Sequence, residues 1–246
     1  MFPVQDGVAT RWPPFVTWTL IGCNCAVFLF QISLAPAELE WFIHRLALVP
    51  ARYLGPMAAA SSPQAFWEYA PFLTNAFLHG GWLHLILNMW TLWIFGPAVE
   101  DRFGPVRFVL FYLGAAIAAS LCHALFNPSS TIPALGASGA ISGVIGCYIR
   151  LFPLARLIVV VPILFLPLFF EVPALVFAGL WFLTQILQGT VGLLYPVEGG
   201  GIAWWAHIGG FVVGVLVTPL LQHSKRSHRP YYADEGILGL TPGGRR

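Results

Sequence analysis

Long apolar runs separated by short polar breaks dominate the chain. They lack the alternation of polar and apolar positions that a half-solvated helix or strand requires. A hydrocarbon core of about 30 Å calls for roughly 17–25 apolar helical residues. Five runs meet that length: residues 15–32, 82–99, 106–126, 135–152 and 202–222. A further stretch, 157–195, holds 39 residues with one acidic side chain, Glu171, and prolines at 162, 167 and 173. Dividing it into two spans would leave about fourteen residues for the first, too few to cross. Residues 157–170 are therefore expected to lie at the membrane surface, with a span over 172–192 that starts near Glu171. The expected fold is an all-α membrane protein, a bundle of six transmembrane helices over residues 15–222. A cytoplasmic segment, 1–14, precedes it, and a flexible basic cytoplasmic tail, 223–246, follows.

Composition narrows the class. Of 246 residues, 58% are hydrophobic and 9% charged, whereas a soluble domain carries about 25% charged residues. So few charges cannot clothe a water-facing surface. The net charge of +2 is no nucleic-acid footprint, because the basic residues sit at the ends of apolar runs. Cys23, Cys25, Cys122 and Cys147 all lie inside those runs and read as small core residues, not a disulfide framework or a metal site. The first run is too long for a signal peptide and has no small-residue cleavage pattern. With both termini cytoplasmic, every Lys and Arg except Arg45 and Arg52 falls on the cytoplasmic side, the bias that sets orientation. Those two lie in the first loop, 34–81, which is then outside. That loop is too long for a simple connector. It carries Trp41, Phe42, Tyr53, Phe66, Trp67 and Tyr69, and is expected to fold against the outer leaflet.

Polar side chains within spans are costly, so each one needs a reason. His84 and Asn88 open the second span four residues apart, on one helix face. Ser138 opens the fourth and His207 the sixth. At about 1.5 Å per residue, all four lie within roughly 10 Å of the outer interface. Four polar groups on three helices thus share one depth. Gly139 and Gly143 on the fourth span, and Ala206, Gly210 and Gly214 on the sixth, form small-residue faces that let two backbones approach closely. Close approach is what a serine and a histidine on separate helices need in order to hydrogen-bond. Ser138 also lies near a helix start, where amides and dipole favour developing negative charge.

These residues resemble the motifs of the rhomboid family of intramembrane serine proteases. Gly136-Ala137-Ser138-Gly139 is similar to its GxSG motif, with the serine as nucleophile. Ala206-His207 with Gly210 and Gly214 is similar to AHxxGxxxG, with the histidine as general base. His79, His84 and Asn88 match HxxxxHxxxN, whose second histidine and asparagine help bind the oxyanion. Glu100-Asp101-Arg102-Phe103-Gly104 resembles the family's acidic turn after the second span. The match covers about residues 73–217, with the motifs in family order. Two departures stand out. No Trp-Arg pair occurs in the first loop, and Ser142 stands where many members have an aromatic ring stacked on the base. A hydroxyl, or Trp204 and Trp205, is then left to orient His207.

The resemblance implies an endopeptidase that cuts single-span membrane proteins near the outer face, after a small residue where the helix is unstable. Ser138 and His207 would form a dyad, with the Ser138 backbone N–H, His84 and Asn88 around the oxyanion. Asp6, Asp101 and Asp234 all fall on the cytoplasmic side, so no carboxylate is expected beside the base. No metal or organic cofactor and no nucleic-acid partner is implied, and the location expected is a prokaryotic plasma membrane. Blander readings stand beside these. Ser138 is a packing serine, His207 an interhelical hydrogen-bonder, and Asn88 a partner for His84 within one helix. His79 shapes the loop, His123 is structural, and Gln185 and Gln188 are packing glue on one face of the fifth span. For the whole chain, the alternatives are a catalytically silent rhomboid-like protein that binds membrane clients, or a small transporter. The first would be expected to lack Ser138 or His207, and the second to show paired intramembrane charges or inverted repeats.

Overall fold

A backbone in hydrocarbon has no water to bond, so helices satisfy it internally. The computed structural model describes residues 2–54, 66–163, 166–194 and 202–222; the tail expected at 223–246 lies outside them. In chain order the elements begin with β1 (Phe2–Asp6), α1 (Phe15–Ser33), α2 (Pro36–Leu46), α3 (Pro71–Thr74), α4 (Trp82–Phe103) and α5 (Pro105–Phe126). They continue with α6 (Ser138–Leu151), β2 (Arg156–Ile163), β3 (Leu166–Pro173), α7 (Ala174–Leu194) and α8 (Trp204–Leu221). Among the described residues, α1, α4, α5, α7 and α8 are long and apolar enough to cross a membrane, and α6 is a shorter apolar helix.

Helix α6 is the core of the bundle. Ten of its 14 residues are buried, against α4, α5, α7 and α8. At 14 residues it spans about 21 Å, shorter than a hydrocarbon layer of about 30 Å. Large apolar side chains of the surrounding helices point outward, among them Trp93, Leu110, Leu180 and Leu216.

Glycines bring α6 and α8 together. A Cβ at Gly210 would land on the Gly139 carbonyl oxygen, and one at Gly214 on that of Gly143. In the other direction, a Cβ at Gly146 would land on the Phe211 carbonyl oxygen. The two backbones touch without intervening side chains.

The acidic turn fastens α1. Helix α1 has Pro14 at its N-cap and no side-chain cap of its own. Glu100 supplies one from α4, accepting from the amides of Val16 at 2.9 Å and Thr17 at 2.8 Å, and from the Thr17 hydroxyl at 2.7 Å. Asp101 accepts from the Trp12 amide at 3.2 Å. Gly104, at φ 79°, then lets the chain turn sharply into α5, whose first residue is Pro105.

A three-stranded antiparallel sheet, ordered β1-β2-β3, departs from the all-helical expectation. The stretch read as a surface connection is a hairpin, with Arg156 opposite Pro173 and Ile163 opposite Leu166. The N-terminal segment adds β1 along β2. Leu157 and Val159 are fully buried, while Leu166, Leu168, Phe169 and Phe170 are exposed. A strand apolar on both faces has no period-2 signal and reads like any other apolar run. The Leu157–Val161 stretch, rich in β-branched residues, favours strand over helix. An ion pair, Arg156 to Glu171 at 2.9 Å, closes the hairpin base. Trp90 donates to the Pro3 carbonyl at 2.7 Å, joining β1 to α4.

The described part of the first loop folds onto the Ser138 end of the bundle. Leu48 and Ala134 exchange backbone hydrogen bonds of 3.0 and 2.7 Å, and the Asn75 carbonyl accepts from the Gly136 amide at 2.9 Å. The loop thereby holds the residues immediately before α6.

Candidate active site

Ser138 is the first residue of α6, not the fourth as the apolar run implied. Ala137 at the N-cap offers no side-chain acceptor, so the first-turn amides are left facing the site. Gly136 takes φ 130°, a region that disfavours any side chain. Space forbids one as well. A Cβ there would lie 2.7 Å from both Cε1 and Nε2 of His84, and 3.7 Å from Ser138 Oγ. The edge of the His84 ring therefore lies over Gly136.

His207, buried on α8, places Nε2 2.8 Å from Ser138 Oγ. The two residues are 69 positions apart, and the glycine contact between α6 and α8 brings them together. On its other side, His207 Nδ1 lies 2.7 Å from Gln185 Oε1 of α7. The ring packs near Trp181 at 5.9 Å and edge-on to Trp204 at 6.0 Å. Trp205 instead stacks on Phe126. Ser142, considered as a hydroxyl partner for His207, donates to the Ser138 carbonyl at 2.6 Å.

Asn88, one turn from His84 along α4, is buried, and its Nδ2 has no hydrogen-bond partner among the described residues. An orphaned amide donor inside an apolar bundle is costly. His79 lies 5.1 Å from His84 ring to ring. Its main chain exchanges hydrogen bonds with the Gln31 side chain, at 3.0 and 3.2 Å. His123 pairs locally with Asn127 at 3.4 Å.

Gln185 and Gln188, expected to share a role, are separated: Gln185 is buried and Gln188 exposed. Sequence reasoning missed the contact from Gln185 to His207. Its one signal was a carboxamide in the middle of an apolar run. The four cysteines are free thiols. The carboxylates Glu100, Asp101 and Glu171 engage the start of α1, Trp12 and Arg156, all away from Ser138. A cleft of about 660 Å³ opens beside the site, between residues 127–134 and Gly189, Trp204 and Trp205. Its lining shares His123, Ala134 and Ala203 with a small cavity that Ser138 itself lines.

The fold and site define a multi-pass membrane protein with a hydrogen-bonded serine and histidine sunk into a helical bundle. Residues 64–224 match the Rhomboid domain, and the chain belongs to the rhomboid family. It is 30% identical over 212 residues to Rhomboid protein 1, mitochondrial, of Saccharomyces cerevisiae, across 83% of this chain and 52% of that protein. Rhomboid protease GluP of Bacillus subtilis is 44% identical over 79 residues, 32% of this chain and 15% of that protein. The Putative rhomboid protease YdcA of the same organism is 35% identical over 82 residues, 33% of this chain and 41% of that protein. The chain thus spans about half the length of the yeast relative.

Proposed function

We propose that the protein is an intramembrane serine endopeptidase that hydrolyses peptide bonds of membrane-spanning substrates. The observation that carries this reading is the 2.8 Å contact between His207 Nε2 and Ser138 Oγ, within reach for general-base catalysis. Ser138 Oγ attacks the scissile carbonyl carbon while its proton passes to His207 Nε2. The carbonyl oxygen becomes an oxyanion beside the first-turn amide of Ser138, His84 Nε2 and the unpartnered Nδ2 of Asn88. Collapse breaks the C–N bond, and His207 returns the proton to the leaving amine. Water then attacks the acyl-enzyme with His207 again as base, which releases the carboxylate product and restores the serine. The cleft beside Trp204 and residues 127–134 supplies a route for that water.

In this reading the site end of the bundle faces outward and both termini face the cytoplasm, from the distribution of Lys and Arg. Single-span proteins are the substrates, and a prokaryotic plasma membrane is the location. The decisive experiment incubates detergent-purified protein with a tagged single-span substrate. Cleavage by the parent and none by Ser138→Ala is expected. Equal cleavage by both, or none by the parent over a panel of such substrates, overturns the proposal.

A further inference from the structure

Gln185 occupies an expensive position. It lies on α7, whose Leu183, Ile186 and Leu187 are exposed to the surroundings of the bundle, yet the residue itself is 4% exposed and its carboxamide is turned toward His207. Its two amide hydrogens are both taken. Nε2 donates to the Trp181 carbonyl at 3.0 Å and to the Thr184 hydroxyl oxygen at 3.0 Å. The Thr184 hydroxyl spends its own hydrogen on the same Trp181 carbonyl, at 2.6 Å. Rotating the amide by half a turn would set its oxygen against the Trp181 oxygen, two acceptors facing each other. The network therefore aims Oε1 at His207, 2.7 Å from Nδ1.

An oxygen acceptor at that distance requires a hydrogen on Nδ1. A neutral ring with Nδ1–H carries its lone pair on Nε2, which is the atom 2.8 Å from Ser138 Oγ. The opposite tautomer would point an N–H at the serine and could not accept its proton. We infer that Gln185 is a positioning residue that holds His207 in the tautomer and orientation able to deprotonate Ser138. It takes the place that a carboxylate or an asparagine fills in other hydrolase triads. A neutral amide does this without burying a charge in an apolar helix. The inference rests on the protease reading of Ser138 and His207, but its own observable is the hydrogen on the imidazole.

Two measurements on the full chain in detergent separate this role from simple packing. The first is ¹⁵N spectroscopy of histidine-labelled protein, with His207 assigned by its loss in His207→Ala. The parent should show a protonated Nδ1 and an unprotonated Nε2. Gln185→Leu should show a mixture or the reverse, and Gln185→Glu should restore the parent pattern, because a carboxyl kept protonated by burial donates to the Trp181 carbonyl and accepts from Nδ1. A parent ring protonated on Nε2 would overturn the inference whatever the variants do, so a variant that fails to fold leaves it testable.

The second measurement is turnover and fluorophosphonate labelling of Ser138. In Gln185→Leu, kcat and labelling should fall roughly 10–100-fold, below the roughly 10⁴-fold loss seen when a triad histidine is locked in the wrong tautomer. KM should stay within about twofold, and Gln185→Glu should recover most of the loss. If Gln185→Leu labels at the parent rate while Ser138→Ala is dead, the positioning role fails and the protease reading stands. If the parent neither cleaves nor labels, the protease reading fails, and the ring spectrum alone then decides whether Gln185 sets the tautomer.

Discussion

Alanine at Gly210 would put a methyl carbon onto the Gly139 carbonyl oxygen, with the Gly139 carbonyl carbon 3.0 Å and the Gly143 amide nitrogen 3.3 Å away. None of these is the far end of a flexible side chain, so the clash is relieved by moving one helix from the other. Restoring even the tightest tolerated contact takes about 1 Å of separation. His207 lies three residues before Gly210, on the face of α8 turned toward α6. Its 2.8 Å contact with Ser138 would then stretch to about 3.8 Å, beyond the range of a hydrogen bond. A misplacement of about 1 Å in a catalytic pair costs on the order of 10²-fold in rate, and overpacking of this kind costs about 1–3 kcal/mol in stability. Gly210→Ala should therefore react with a fluorophosphonate about a hundredfold more slowly than the parent, and melt several degrees lower in detergent. Gly179→Ala is the control, since a Cβ there meets nothing within 4 Å; it should label at the parent rate and melt no lower than the parent. Labelling of Gly210→Ala within twofold of the parent, at unchanged melting temperature, would refute the claim that backbone contact sets the Ser–His distance.

Other expectations are more local. Ser138→Ala and His207→Ala should each abolish turnover, with the double variant no worse, because the two act as one unit. Asn88→Ala should lose no more than about 10²–10³-fold in kcat with KM unchanged; a folded variant as dead as Ser138→Ala would make Asn88 structural. Asp6 lies outside the spans, and burial raises its carboxyl from 3.8 to about 7. The folded state then holds that proton more tightly than the unfolded chain, so this contribution is complete below about pH 4 and is lost as pH rises to about 7. Melting in detergent across that window should show the decline, and Asp6→Asn should flatten it; a decline of equal size in Asp6→Asn would exclude the assignment. Glu100→Ala orphans three donors at the start of α1, a loss of at least about 2 kcal/mol that should lower the melting temperature where Glu100→Gln lowers it less. Cysteines placed singly at the exposed Ser129 and Leu154 should react with an impermeant reagent from opposite sides of intact cells, above the parent's background. Reaction of both from one side would reverse the orientation argument.

The bilayer explains how much of this was legible beforehand. It demands about twenty apolar residues per crossing and penalises each polar group within one, so spans and site residues stood out together. Boundaries did not. The apolar run 135–152 gave no sign that residues 135–137 precede the helix, since Leu135, Gly136 and Ala137 are as compatible with a turn as with a span. Helix α4 likewise continues to Phe103, past the expected end at 99, with Glu100 bonded to the start of α1 and Asp101 to the Trp12 amide just before it. The sheet was missed for a different reason. Leu157–Val161 is apolar at every position, and β1 comes from a segment that has no pairing partner nearby in sequence.

The motif residues could be read in advance because they are packing residues for one another. Gly136 makes room for His84, Gly139 receives the backbone at Gly210, and Gly143 receives it at Gly214. Each glycine in one motif is thus explained by a residue of another, and the spacing within each follows from helix geometry. Gln185 obeys no such constraint. It approaches His207 by its side chain alone, from a helix that gives α8 no glycine contact of the kind α6 does, so no spacing in α7 reports the meeting. Its amide orientation depends on Trp181 and Thr184, residues unremarkable in an apolar span. A side-chain partner of this kind becomes visible only when three helices are placed together, whereas the serine and histidine it serves are announced by the glycines that let their backbones touch.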